Sequence, residues 1–460
     1  MFKSIGSVTR RIVFQSFAVG FVIAALSFSA AANAADWVVQ PQWVKAHEDF
    51  LAGPALEGRG SATRNEAIAA AYVASQFESF GLRTAPGMSA YTQVARIVQP
   101  RLAGTPKLTL AGGQTLSSLS LIAGAGDVRG RFAVFDSANP ADVPESAIVV
   151  ATNPSISLRE LASAASAKHV KLVIAPQSDA SQKLFEAIGG KTMLRSHLEG
   201  VGAEERVTLA TLSTSDIALL KKNAGAELEL AAPIANDTAE TTNAIGFLPG
   251  TDANAGYLLI TAHLDHLGIQ QGTVMPGAND DASGTTAVIE LAHALSAGPP
   301  MRRGILFVCY GSEELGGFGS RYFGAHPPVP LSSIIANLEL EMIGAQDPKL
   351  PAGHLMMTGF ERSNFGEILK KNGALISSDP YPEEHFFQRS DNYSLALQGI
   401  VAHTVSGWAV VPTYHQPTDT VANLNIPFMT TAIQSLINPL RAVANGSETP
   451  QWKAGGRPSE

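Results

Sequence analysis

Five short stretches hold most of the residues whose types could do chemistry. The apolar run "YLLITA" is followed by His263-Leu264-Asp265-His266, and "GANDDASG" holds Asp280 and Asp281. Glu313 and Glu314 follow "ILFVCY", "NLELEMIG" carries Glu339 and Glu341, and "PTYHQPTDT" carries Tyr414, His415 and Asp419. Binding sites of open α/β sheets lie beyond the carboxyl ends of the strands, so these segments converge on one edge. Imidazole nitrogens and carboxylate oxygens are zinc donors, and a zinc-bound water has its pKa lowered to about 7. A pair of ions about 3.5–4 Å apart needs terminal ligands on both sides and a bridging carboxylate, which this set can supply. A metal site is therefore the reading these residues favour.

Spacing sorts some of the roles. His263 and Asp265 are two apart and share a strand face, which suits Asp265 to orienting a ligand histidine. By the same alternation His266 is expected to point away. Glu339 and Glu341 share a face, so spacing does not choose between them. Glu313 and Glu314 are adjacent, so the strand before them must end near Tyr310 if a turn is to aim both into one site. Asp281 is expected to cap the helix that "SG" opens. Glu290 and His293 read as a pair on a helix surface, and His403 reads as a buried strand residue. Tyr381, His385, Phe386 and Phe387, before "QRSDN", could line a pocket or pack a loop, and Arg389 within it could anchor this loop or touch substrate.

The elements that must position these residues follow from periodicity. From Thr241 onward apolar strands alternate with amphipathic helices, implying a sheet buried on both faces. The expected fold is a three-layer α/β/α unit with a central mixed, mostly parallel sheet, plus a smaller β-rich inserted domain. The domains are read as a signal peptide over 1–34, an N-terminal catalytic part over 35–95, the insert over 96–240, the catalytic domain over 241–446 and a flexible tail over 447–460. Asn65–Leu82 carries a helix pattern that Gly81 is placed to stop.

Composition narrows the function. The chain has 460 residues, 45% hydrophobic, with a formal net charge of -8. Nucleic-acid binding would need a basic face, which this balance does not offer. Lys3, Arg10 and Arg11 precede an apolar stretch that ends in Ala32-Asn33-Ala34, the pattern of a cleaved export signal. The expected location is periplasmic or secreted, with no stable membrane association after cleavage and a monomeric state. The single cysteine, Cys309, sits in an apolar strand, which excludes an intramolecular disulfide and suggests an inert buried thiol.

The motifs "HLDH", "NDDASG", "GSEELG", "EMIG", "RSDN" and "YHQPTDT", in this order, resemble the co-catalytic zinc aminopeptidase family. Its relatives include glutamate carboxypeptidase, glutaminyl cyclase and transferrin receptor. The resemblance implies two zinc ions per chain. It implies His263, Glu341, Glu314 and His415 as terminal ligands, Asp280 as the bridge, Glu313 as general base and Tyr414 as a donor to the oxyanion. Asp265 and Asp391 would support the ligands from behind, and the insert resembles a protease-associated domain. The implied activity is removal of the N-terminal residue of peptide substrates. Cyclisation of N-terminal glutamine, carboxypeptidase activity and a non-catalytic binding role are the alternatives. Two departures stand out: Glu341 replaces the family's usual Asp, and Asn392 replaces the histidine of its Ser-Asp-His.

Overall fold

The structure is a computed structural model describing Met1, residues 37–201 and residues 207–459. The expected signal peptide lies outside the described residues. Residues 38–460 form one compact unit built on two large sheets. The larger sheet has nine strands: β1 Thr92–Leu102, β2 His197–Leu198, β3 Ile234–Leu248, β4 Tyr257–His263, β5 Gly304–Tyr310, β6 Ile334–Glu341, β7 Leu355–Met357, β8 Ile376–Ser378 and β9 Ala402–Ser406. Their spatial order is β8-β7-β9-β6-β4-β5-β3-β1-β2. The centre, β9-β6-β4-β5, is parallel, while β7 against β9 and β3 against β5 are antiparallel. β4 is followed on one side by β5 and on the other by β6, so the chain reverses its direction of progress at β4, where such sheets open a crevice.

The expected three layers are present. Helices Pro41–Leu51, Arg64–Ser79, Ser283–Ser296 and Ile426–Asn445 pack together on one face, and Phe318–Ala325 and Asn392–Leu397 pack on the other. All seven residues of β5 are buried, as its unbroken apolar run requires. Ser283–Ser296, expected to be amphipathic, is buried all round apart from His293 and Ser296. Glu290 and His293 are consequently not a surface pair. Glu290 is fully buried 3.2 Å from His47 Nε2, and the His293 ring stacks on Phe80 at 4.1 Å.

The insert is less purely β than its sequence texture suggests. Its eight-stranded sheet contains a parallel run, Val128–Phe135, Ile148–Ala151, Leu172–Pro176 and Thr208–Leu212. Helices Leu158–Ala167, Asp179–Ala187 and Thr214–Lys222 accompany it. Its own sheet spans 107–231, whereas the residues at the expected borders, 96 and 240, lie inside β1 and β3. Those two strands pair antiparallel from Thr92↔Ala244 to Leu102↔Ile234 and form a stem continuous with the larger sheet.

The tail from 447, expected to be flexible, is instead packed. Trp452 Nε1 donates to the Gly399 carbonyl at 3.1 Å, and its ring stands edge-on to Phe387. Lys453 Nζ meets Glu367 at 2.9 Å. Polar composition concealed one aromatic anchor.

Candidate metal centre

The three central strands end where their site residues begin. β4 stops at His263, β5 at Tyr310 and β6 at Glu341. Backbone in the left-handed region follows at once: Ser312 has φ 54° and Met342 φ 53°, while His415 has φ 53° in its own turn. Non-glycine residues there cost of order 1–3 kcal/mol each and persist where surrounding contacts enforce them. At Ser312 the turn brings Glu313 and Glu314 to the same side, an arrangement that strand alternation forbids.

Asp265 fastens this turn. Its Oδ1 accepts from Glu313 N at 3.0 Å, and its Oδ2 accepts from the Ser61 hydroxyl at 2.5 Å and from Glu314 N at 3.4 Å. It also lies 3.7 Å from His263 Nδ1, so one carboxylate positions two neighbouring site segments. Asp419 does the same for the Asp280 loop, accepting from Asn279 N and Asp280 N at 2.9 and 3.0 Å. Asp281 accepts from Gly284 N at 3.0 Å, the cap its sequence suggested, and from Met342 N and His263 N as well. Behind these loops lies Arg59, fully buried, donating to the carbonyls of Leu264, Leu51, Pro276 and Gly277.

Asp280 is the hub. His263 Nε2 is 3.3 Å from its Oδ1, and His415 Nε2 is 3.1 Å from its Oδ2. His263, Asp280 and Glu341 bring donor atoms together as one group, and His266, Asp280 and Glu314 as a second. Asp280 Oδ2, Glu314 Oε1, His415 Nε2 and His266 Nδ1 are buried and close together without hydrogen bonds, and His266 Nε2 is buried and unbonded as well. Of the two strand glutamates, Glu341 joins the cluster. Glu339 is tied down by Asn392 N and the Thr404 hydroxyl. Asp391 accepts from the Ser320 hydroxyl, and its other oxygen is buried and unpaired.

The electrostatics call for cations. Burial pushes the Glu313 carboxyl well above the usual range, and the charges of Asp391, Glu341 and Glu314 add to this against the opposing effect of His263. Burial likewise raises Glu341, and lifts Asp391 to about 7. Among the described residues no lysine or arginine forms an ion pair with Asp280, Glu313, Glu314 or Glu341. Buried carboxylates held in this way are costly unless a charge of opposite sign joins them. The donor set of imidazoles and carboxylates suits zinc.

Tyr414 stacks on His415 with ring centres 3.8 Å apart. Beside it opens a small cleft lined by Glu341, Met342, Met356, Phe386, Arg389 and Tyr414 among others. Phe386 and Arg389 thus line the cleft, whereas Phe387 packs in the core and Tyr381 lies under Lys349 Nζ at 3.7 Å. Cys309 is buried, and burial pushes its thiol far up, as expected of an inert group.

The sequence reading missed His266. It is fully buried, and its Nδ1 lies 2.9 Å from Glu314 Oε1. Alternation failed because β4 ends three residues earlier.

Residues 243–438 match the model of peptidase family M28. This segment, under half of the chain, is similar to the M28 peptidases. Leupeptin-inactivating enzyme 1 of Streptomyces exfoliatus is 29% identical over 201 residues, covering 40% of this chain and 44% of that protein. Aminopeptidase YwaD of Bacillus subtilis is 36% identical over 86 residues, 18% of each chain. The matched region thus spans under half the length of these curated relatives. An aminopeptidase from Aneurinibacillus sp. strain AM-1 has the same fold, with a TM-score of 0.55 at 19% identity over 89% of this chain and 95% of that one. The zinc aminopeptidase BSAP of Bacillus subtilis superposes with a TM-score of 0.51 at 19% identity, over 92% of this chain and 98% of that one. The fold similarity therefore extends beyond the segment matched by the family model to the insert.

Proposed function

We propose that the chain is an exported dizinc aminopeptidase that hydrolyses the N-terminal peptide bond of peptides. The observation that carries this reading is the division of Asp280, one oxygen toward His263 and the other toward His415. One ion would be held by His263, Asp280 and Glu341, the other by Asp280, Glu314 and His415. Bound there, the ions supply Lewis acidity to the scissile carbonyl and lower the pKa of the attacking water. Glu313 accepts that water's proton on its carboxylate and returns it to the leaving amine nitrogen. The Tyr414 hydroxyl donates to the oxygen that gains charge on the scissile carbonyl. The side chain of the N-terminal residue would enter the cleft walled by Met342, Met356 and Phe386, next to Glu341.

Asp265 and Asp391 serve this scheme by holding the Glu313-Glu314 turn and the Ser320 side of the site. Among the described residues no helix is long and apolar enough to cross a membrane. The export signal over 1–34, periplasmic or secreted location and a monomeric state belong to the same proposal, as does likeness of the insert to a protease-associated domain.

The test is hydrolysis of aminoacyl-nitroanilides with and without chelator, alongside zinc analysis of two variants. Glu313→Gln should keep about two zinc ions per chain and lose turnover by at least about 100-fold, the usual worth of a general base. Glu314→Ala should lose zinc. Activity indifferent to chelation, or a Glu313→Gln enzyme of normal turnover, would sink the mechanism.

A further inference from the structure

The two halves of the cluster are not equivalent. On the His263 side, the donors are one imidazole and two carboxylates, His263, Asp280 and Glu341. On the other side a second imidazole is present. His266 Nδ1 lies 2.9 Å from Glu314 Oε1 and 3.7 Å from Asp280 Oδ2. His415 Nε2 lies 3.2 and 3.1 Å from the same two oxygens. The rings are 5.6 Å apart and inclined at 72°. Both imidazoles therefore approach the same two carboxylate oxygens. Donors held by one tetrahedral zinc at about 2.1 Å stand about 3.4 Å apart, and the four observed separations bracket that value.

The His266 ring is placed there by backbone. Its N–H donates to the Arg59 carbonyl at 3.2 Å, after the chain has left β4. Gly277 packs flat against the ring, since a Cβ at that position would lie 2.4 Å from His266 Cγ. Neither ring nitrogen makes a hydrogen bond, so a fully buried polar side chain is aimed into the cluster without a protein partner suited to it. Such a group is costly to bury unless something binds it.

Building on the two-metal reading above, we infer that His266 is a fourth protein ligand, through Nδ1, of the ion shared by Asp280, Glu314 and His415. That ion then has a closed shell of two imidazoles and two carboxylates. The ion at His263 keeps the open position that catalytic zinc sites require. The two ions are thereby assigned different work: one is retained tightly and shapes Asp280, the other meets substrate.

The experiment is competition of the full chain with a chromophoric chelator for zinc, and the visible absorption of the cobalt-substituted protein. Wild type, His266→Ala, His266→Phe and His415→Ala are compared; phenylalanine fills the ring's space without a donor, so a packing defect is separated from ligand loss. Both His266 variants should weaken one zinc dissociation constant by more than about 100-fold, beyond the about 10–100-fold that loss of outer support costs, and leave the other within about twofold. The same cobalt band should change in the His266 and His415 variants. Two unchanged constants and an unchanged cobalt spectrum in folded His266→Phe overturn the assignment while leaving the two-metal reading intact. Wild-type protein that binds no zinc overturns both.

Discussion

Replacing Arg59 by lysine keeps a positive charge and removes the planar fork. The native guanidinium donates to Leu264 O at 2.8 Å, Leu51 O at 3.2 Å, Pro276 O at 2.6 Å and Gly277 O at 2.7 Å, all in a fully buried setting. An ammonium donates from one point at the end of a flexible stem and cannot reach four carbonyls from three segments at once. Two carbonyls left unpaired, at about 1–3 kcal/mol each, cost about 2–6 kcal/mol, a large share of an ordinary domain's stability of about 5–15 kcal/mol. Burial raises the nearby Glu48 carboxyl to about 8, so it is mostly neutral at pH 7 and an Arg59–Glu48 ion pair is not the main attraction. Arg59→Met should therefore be about as damaging as Arg59→Lys. The assay is urea unfolding of the full chain followed by tryptophan fluorescence, with zinc affinity measured on the same samples. Affinity should fall as well, because Leu264 and Gly277 flank the segments of His263 and Asp280. A lysine variant within about 0.5 kcal/mol of wild type, the range of ordinary surface changes, would refute the backbone-clamp argument. A stable lysine variant beside a ruined methionine one would point to charge instead.

Three further outcomes are expected. Asp265→Asn turns an NH₂ toward the Glu313 and Glu314 N–H groups or gives up one acceptor, and should weaken zinc binding by about 10–100-fold in chelator competition. His403 is held near 4 by burial, with Nδ1–H on the Thr358 carbonyl and Nε2 accepting from Ser363. The unfolded histidine gains its proton near 6.5, so the stability is full above that pH and falls by about 3 kcal/mol as pH drops to 4; His403→Gln should flatten that part of the urea-midpoint profile. Trp452→Ala should lower stability by about 2–3 kcal/mol in the same urea assay, below the full cost of a core aromatic because Trp452 is only half-buried.

What the sequence made legible is what periodicity and apolar continuity encode. β4 and β5 are visible as apolar runs and β6 as a strand carrying Glu339 and Glu341, and the residues at or just past their ends are the ones to examine. The end of β5 at Tyr310 followed from needing both glutamates in one site. What stayed hidden depends on where the chain bends. His266 was assigned outward because alternation was carried past the end of β4. Glu339 and Glu341 could not be separated because the difference lies in Asn392 and Thr404, distant in sequence. Arg59 sits in a loop that reads as solvent-facing, and nothing local reveals that four carbonyls need its donors. The tail's anchor is one tryptophan among polar residues, too little for a pattern.

β3 extends from the insert into the larger sheet without interruption. Its first part pairs with β1 in the stem, and Ala244–Leu248 pairs with β5, the strand that ends at the Glu313-Glu314 turn. Asn243 ties it to that turn directly, its Oδ1 accepting from Gly311 N and its Nδ2 donating to the Gly319 carbonyl, each at 3.0 Å. The insert is therefore poorly suited to exchange as an independent cassette. Excision at 96 and 240 would shorten the stem and expose the flank of the sheet beside the Glu313-Glu314 turn. Excision at 103 and 233, closed by a short hairpin turn, keeps every β1–β3 pair.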